Sequence, residues 1–158
     1  MDMPEIEARR LLESRQTVVM ATADKNAMPH VSYAPFVHVA PHFYVYTSSL
    51  SQHTKNMLEN AEVSIMFIED EADASNIFAR KRFTAVCAIG IVARESDEWN
   101  DVLARFESTF GEIFSMIRPL GDFTLFRLLP ASGLFVRGFG QAFEIDPAMT
   151  SAKHVRKA

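Results

Sequence analysis

The sequence lacks the residues and motifs on which several common kinds of chemistry depend. Cys87 is the only cysteine among 158 residues, so the chain can form no intrachain disulfide and no multi-thiolate metal site. It contains no P-loop, no Rossmann glycine pattern, no H-E-x-x-H motif and no Ser-His-Asp triad pattern. These absences argue against kinases, dehydrogenases, zinc enzymes and triad hydrolases.

An excess of positive charge and a long apolar run are also missing. The formal net charge of −4 argues against nucleic acid as the main partner. No apolar run approaches the roughly 20 residues needed to span a bilayer. The acidic, polar start MDMPEIEARR does not resemble a signal peptide. We therefore expect a cytoplasmic protein that binds neither nucleic acid nor membranes.

Short alternating segments indicate a mainly β (α+β) protein. They predict strands at residues 17–22, 30–40, 43–47, 63–68, 82–94, 123–129 and 134–145. Helices are expected after Pro4, from Ser96 to Gly111, and over residues 112–117. Gaps of hairpin length predict a six- to seven-stranded antiparallel β-barrel with flanking helices. We expect residues 1–146 to form this single domain and residues 147–158 to form a polar C-terminal tail.

The most informative segment is residues 45–67, in which a strand, a polar turn, a short helix and a second strand follow one another. Hydroxyl, amide, imidazole and ammonium side chains gather where the helix begins: Thr47, Ser48, Ser49, Ser51, Gln52, His53 and Lys55. Unpaired N–H groups and the helix macrodipole favour an anion such as phosphate there. The alternative is ordinary N-capping, in which Ser49 and Gln52 form a capping box.

The same segment resembles the FMN-binding split-barrel superfamily of pyridoxamine 5′-phosphate oxidase. The matching residues are Tyr46, Thr47, Ser51, Val63, Ser64 and Ile65. The resemblance implies a split barrel and places Thr47, Ser51, Gln52 and His53 at the positions that hold the FMN phosphate. The family usually has Arg-Lys where this chain has Gln52-His53.

Four further segments resemble the haem-utilisation (HugZ-type) branch of that superfamily. They are PHVSYAPF (residues 29–36), SSLSQHTKN (48–56), IEDEADASNIFARKRFT (68–84) and FVRGFGQAFEI (135–145). Members of this branch are associated with oxidative breakdown of haem. The resemblance implies a dimer with haem held between the subunits near a C-terminal histidine.

The densest positive charge lies at Arg80-Lys81-Arg82. Strand alternation could place Arg80 and Arg82 on one face, where they would reach a flavin phosphate or haem propionates. The alternative is a solvated strand entrance that balances the acidic run at Glu69-Asp70-Glu71.

Asp122 and His154 are the remaining candidates. Asp122 could polarise an oxygen ligand or assist its protonation in a haem pocket, although Gly-Asp before a strand also suits a turn. His154, the only histidine of the tail, could bind haem iron axially, or have no role between Lys153 and Arg156.

These observations lead to one expected function and two alternatives. We expect a homodimer that binds haem at its interface and degrades it with electrons from an external donor. His154 would bind the iron, Arg82 would contact a propionate, and Asp122, the catalytic candidate, would polarise the bound oxygen ligand. The first alternative is an FMN-dependent oxidoreductase in which Thr47, Ser51, Gln52, His53 and Arg82 hold the cofactor. The second is a non-catalytic module that binds flavin or haem.

Overall fold

A computed structural model describes residues 2–156 as eight strands and four helices. The strands are β1 (Thr17–Ala23), β2 (Pro29–Val39), β3 (His42–Ser48), β4 (Glu62–Ile68), β5 (Arg82–Ile91), β6 (Phe123–Gly138), β7 (Gln141–Ile145) and β8 (Ala152–His154). The helices are α1 (Pro4–Glu13), α2 (Gln52–Glu59), α3 (Asp97–Phe110) and α4 (Glu112–Ile117). Within the described range, no helix has both the length and the apolar composition needed to cross a membrane.

All neighbouring strands pair antiparallel, in the order β3-β2-β1-β4-β5-β6-β7-β8. A further pairing of β3 with β6 closes the first six strands into a barrel. The predicted antiparallel split barrel with flanking helices is therefore confirmed. The strand count is higher than six or seven because β7 and β8 extend the sheet beyond the closed barrel.

The prediction of two separate closing strands at residues 123–129 and 134–145 is wrong. β6 runs without a break through Pro130, and β7 begins only after a turn in which Gly140 has φ +66°. Pro130 has no amide hydrogen, but the register of β5 against β6 shifts between Ala85 and Cys87, which lies opposite Pro130. Such an irregularity is where a strand tolerates proline.

The C-terminal segment is more ordered than a polar tail. β8 pairs with β7 and places His154 opposite Phe143. The expectation of a tail outside the barrel domain is therefore wrong for residues 152–154. Residues 157 and 158 of that predicted tail lie outside the described range.

Two apolar clusters hold the molecule together. One fills the barrel, where rings such as Phe43, Phe67 and Phe83 are almost fully buried. The other lies outside the barrel, between α3, α4 and the outward side of β3, and includes Tyr44 and Tyr46. This second cluster fixes the α3–α4 pair beside the polar turn that follows β3.

Gly133 is a position where the barrel core has no space for a side chain. A methyl group on Gly133 would lie 2.1 Å from the Phe83 ring. We predict that Gly133→Ala lowers the free energy of unfolding by about 1–3 kcal/mol, as overpacked cores do. Gly121→Ala is the matched control, because a methyl group there meets nothing within 4 Å. Denaturant unfolding of both variants checks this, and equal stabilities would contradict it.

Candidate functional site

The polar turn after β3 begins α2 differently from the predicted capping box. Ser51, not Ser49, is the N-cap residue, with extended backbone at φ −85° and ψ 139°. Gln52 does not reach back to a cap, because its Nε2 donates to Asn56 Oδ1 at 2.8 Å. The Ser51 hydroxyl makes no capping hydrogen bond. It is therefore available to a ligand.

A cavity of about 290 Å³, which we call the hydroxyl cradle, lies where β2, β3 and the start of α2 meet. Its lining residues are Tyr33, Ala34, Pro35, Tyr46, Thr47, Ser48, Ser51, His53 and Phe123. Four of the predicted site residues, Thr47, Ser48, Ser51 and His53, are thus brought together. Among residues 2–156, no lysine or arginine side chain lines this cavity.

Internal hydrogen bonds fix the polar groups of the cradle. Thr54 Oγ1 donates to the buried Thr47 Oγ1 at 2.7 Å, and His53 Nδ1 is hydrogen-bonded to Ser32 Oγ at 2.8 Å. Burial, together with the nearby His30, lowers the pKa of His53 below its ordinary value. The His53 imidazole is therefore neutral at pH 7, and the cradle carries no permanent positive charge on its lining.

Asp122 lies at the mouth of the cradle. Ser48 Oγ donates to Asp122 Oδ2 at 2.7 Å, and the Ser49 backbone N–H donates to the Asp122 carbonyl at 2.8 Å. Two residues far apart in the sequence, Ser48 and Asp122, are therefore in direct contact. The contact adds a carboxylate to a site that has no cation on its lining.

An aromatic pocket of about 240 Å³ adjoins the cradle. Its lining residues are Pro35, Tyr46, Phe106, Phe110, Ile113, Phe114, Ile117 and Phe123. Pro35, Tyr46 and Phe123 line both cavities. The Tyr46 ring lies 5.1 Å from Phe123 and 5.7 Å from Phe114, centroid to centroid.

The sequence analysis missed this aromatic pocket. Phe106 is buried in the cluster beside α3, and both Phe106 and Phe110 line the pocket. The signal that could have indicated a pocket is the continuation of the series to Phe114, across the helix break at Gly111. These three phenylalanines are more aromatic residues than the buried face of one short amphipathic helix needs.

Four predicted basic or amide residues lie outside both cavities. Gln52 and Lys55 are exposed on α2, and neither lines the cradle. Arg80 donates to the Glu69 carbonyl and lies 3.8 Å from Glu71 Oε1. Arg82 Nη1 donates to the Arg80 carbonyl at 3.2 Å. The structure of one chain therefore does not bring these residues to an anion in the cradle.

His154 is also remote from the cradle in this chain. Its Nε2 is hydrogen-bonded to the Gly140 carbonyl at 2.9 Å, and its ring meets Phe143 edge-on at 5.1 Å. In this arrangement Nε2 is occupied by a backbone group. Iron ligation through Nε2 would require that hydrogen bond to break.

A larger cleft, of about 500 Å³, lies elsewhere, between the ends of α1 and α3 and the strand β2. None of the predicted site residues lines it. It does include His38, whose ring stacks on the Phe43 ring at 4.4 Å between centroids. Burial lowers the pKa of His38 to about 4.

The two adjoining cavities are suited to one kind of ligand. Aromatic side chains offer an apolar surface to a flat ring system, and the hydroxyls offer neutral hydrogen-bonding groups at its edge. A phosphate dianion in the cradle would instead face the Asp122 carboxylate with no cation on the lining. The arrangement therefore favours a large, flat, mainly apolar ligand.

Comparison with known proteins matches the chain to one family and to a relative within it. The model of the family described as pyridoxamine 5′-phosphate oxidase matches residues 4–137. The heme oxygenase HutZ of Vibrio cholerae is 44% identical over 142 residues, which span 90% of this chain and 81% of that protein.

Two solved structures superpose well on this chain. The crystal structure of HutZ, described as the heme storage protein from Vibrio cholerae, superposes with a TM-score of 0.82 at 38% identity, covering 87% of this chain and 97% of that one. Campylobacter jejuni ChuZ superposes with a TM-score of 0.86 at 33% identity, and the match covers 98% of this chain but 64% of ChuZ.

Proposed function

Because the chain belongs to the pyridoxamine 5′-phosphate oxidase family, and within it to the haem-utilisation branch, we propose that it binds haem and degrades it oxidatively. The reaction would use electrons from an external donor, in a cytoplasmic homodimer with haem at the interface. The observation that carries the proposal is the aromatic pocket that adjoins a hydroxyl cradle with no cation among the lining residues described above. The relatives named for haem oxygenation and haem storage support the same ligand.

Each part of the site would have a defined task. The aromatic pocket would hold part of the porphyrin and exclude water from it, and the cradle hydroxyls would hydrogen-bond at its edge. When bound, haem would supply the iron at which oxygen is activated. Asp122 would hold or transfer a proton beside that centre, because Ser48 fixes its Oδ2 at the cradle mouth.

FMN is the second candidate, and one observation favours it. Ser51, the N-cap residue of α2, and His53 in its first turn line the cradle, as in a phosphate site at a helix N-terminus. The residues that would neutralise the phosphate do not fit, because Lys55 and Arg80 lie outside the cradle. FMN binding would therefore be weaker than haem binding. A storage module that holds haem without degrading it is the non-catalytic alternative.

An exposed apolar face supports the homodimer. On the outward side of the barrel, Tyr33, Val19, Met66, Thr84 and Leu134 lie opposite one another across five strands. The side chains of Val31, Tyr33 and Val86 on this side are 71%, 67% and 51% exposed. A continuous apolar face of this kind normally marks an interface. A two-fold axis through the face would bury it on both copies.

A dimer formed through this outward face would also give a role to Arg82, which lies away from the cradle of its own chain. Arg82 is on the same outward face as Thr84, two residues along β5, and Tyr33 of that face lines the cradle. Arg82 would therefore approach a haem held by the other subunit. His154 is paired with Phe143, on the other side of the sheet from Arg82, so it remains our candidate iron ligand from the family resemblance alone, and His53, a neutral imidazole on the cradle lining, is the competing one.

Separate titrations of the purified protein with hemin and with FMN, followed by visible absorption, test the proposed ligand. We predict a saturable, shifted Soret band with hemin and weaker uptake of FMN, because the cradle has no cation for a phosphate. Addition of ascorbate under air should then bleach the Soret band. A stable Soret band would indicate storage. Tight FMN uptake without any Soret shift would contradict the haem proposal.

The axial ligand is tested by single histidine substitutions. We predict that His154→Ala changes the Soret position of the haem complex, whereas His53→Ala alters it less. His42→Ala is the control, because His42 belongs to the cluster of Glu98 and Arg127 and lines neither cavity. If His154→Ala binds haem with an unchanged spectrum, the assignment of His154 is wrong.

The interface is tested by placing a charge on the outward face. We predict that Val86→Arg yields a monomer by sedimentation velocity and binds haem at least tenfold more weakly, since an unpaired charge would be buried (roughly 1.4 kcal/mol per factor of ten). Leu58→Arg is the matched control, because Leu58 is 53% exposed and belongs to α2, not to the paired strands that form this face. A Val86→Arg variant that stays dimeric would contradict this interface.

A further inference from the structure

The turn of residues 118–123, which we call the Asp122 turn, is fixed by two side chains to which the sequence analysis gave no role. Tyr46 lies on β3 directly before Thr47, and its hydroxyl donates to the Arg118 carbonyl at 2.9 Å. Arg94, which follows β5, donates to the Leu120 carbonyl at 3.3 Å and to the Phe123 carbonyl at 3.4 Å. Both ends of the turn are therefore attached to the barrel.

The two attached parts of the turn are also linked through one aromatic ring. The Arg94 guanidinium lies over one ring, Trp99, at 5.3 Å from its centroid, and the Arg118 guanidinium approaches the same ring at 5.6 Å. Burial raises the pKa of Tyr46, although Arg94 and Arg118 oppose the rise. The phenol is therefore protonated at neutral pH and acts as a hydrogen-bond donor.

We propose that Tyr46 and Arg94 are positioning residues that clamp the Asp122 turn and so hold the Asp122 carboxylate against Ser48 at the mouth of the cradle. Asp122 is exposed and has no packing of its own to fix it. Its carboxylate and its carbonyl are instead held by Ser48 and Ser49. These contacts last only while the turn stays in place.

The clamp also connects the two cavities. The Tyr46 ring lines the aromatic pocket and the cradle, while its hydroxyl holds the backbone of the Asp122 turn. A ligand that packs on the ring would therefore stabilise the residue that holds the turn. The benefit to catalysis rests on the proposed function, whereas the clamp itself is a property of the free protein.

The first test is amide hydrogen exchange in the ligand-free protein. Tyr46→Phe keeps the ring and removes the hydrogen bond to Arg118, so the Ser49 amide should exchange about fivefold faster than in the wild type, as for loss of one hydrogen bond. Tyr44→Phe is the matched control, because Tyr44 is on the same strand, equally buried, and donates to Glu98 Oε2 instead. Unchanged exchange in Tyr46→Phe, or equal acceleration in both variants, would overturn the clamp.

The second test observes Asp122 directly. The ¹³C resonance of its carboxyl carbon should move in Tyr46→Phe and in Arg94→Lys, and should stay in place in Tyr44→Phe. Lysine keeps the charge of Arg94 but has no fork with which to bond two carbonyls. A general loss of stability would not single out this carbon. A resonance that stays in place in both clamp variants would contradict the proposal.

The third test concerns catalysis. In the haem-loaded protein, Tyr46→Phe should slow the ascorbate-driven loss of the Soret band about fivefold, by the same hydrogen-bond argument. In an Asp122→Asn background the same substitution should have no further effect, because the two residues act through one group. Additive effects would overturn the positioning role. If haem does not bind, the proposed function fails, while the exchange and carbon measurements still decide whether the clamp exists.

Discussion

The pairing of β3 with β6 is the constraint on which the site depends. It closes the barrel through six residue pairs that run from Phe43 opposite Leu128 to Ser48 opposite Phe123. Because the pairing ends there, the residue just before it, Asp122, lies beside the hydroxyl of Ser48. The same closure brings Phe123 to the junction of the hydroxyl cradle and the aromatic pocket. A shift of one residue in this register would separate the carboxylate from the cradle and turn Phe123 to the other side of the sheet.

Local chemistry allowed part of this site to be predicted from the sequence. A strand that ends in hydroxyl residues before a helix start is a local pattern, and the four residues that it grouped, Thr47, Ser48, Ser51 and His53, line one cavity. The same pattern could not give the phase of the helix. Because α2 begins after Ser51 and not after Ser49, Gln52 and Lys55 are directed away from the cradle. If the start of a helix is predicted two residues too early, the predicted direction of every following side chain is wrong by more than half a turn.

Long-range pairing explains what the sequence could not show. Tyr33 and Pro35 line the cradle from the part of β2 that is paired with β1, and Phe123 and Asp122 reach it through the pairing of β3 with β6. No local spacing encodes those registers. The predicted strand over residues 123–129 is shorter than β6, which continues through Pro130 although the missing amide hydrogen of proline normally ends a central strand. The bulge opposite it in β5 removes that restriction, and a bulge of this kind depends on two strands at once.

The central claim is that haem occupies the aromatic pocket and the hydroxyl cradle, and paramagnetic NMR tests it most directly. Ferric haem should broaden the amide resonances of Thr47, Ser51 and Phe123, and zinc protoporphyrin, which is diamagnetic, should shift the same resonances without broadening them. Residues of the cleft beside His38 and Arg105 should stay sharp in both samples. Broadening centred on that cleft, or an absence of any effect at the cradle, would contradict the account.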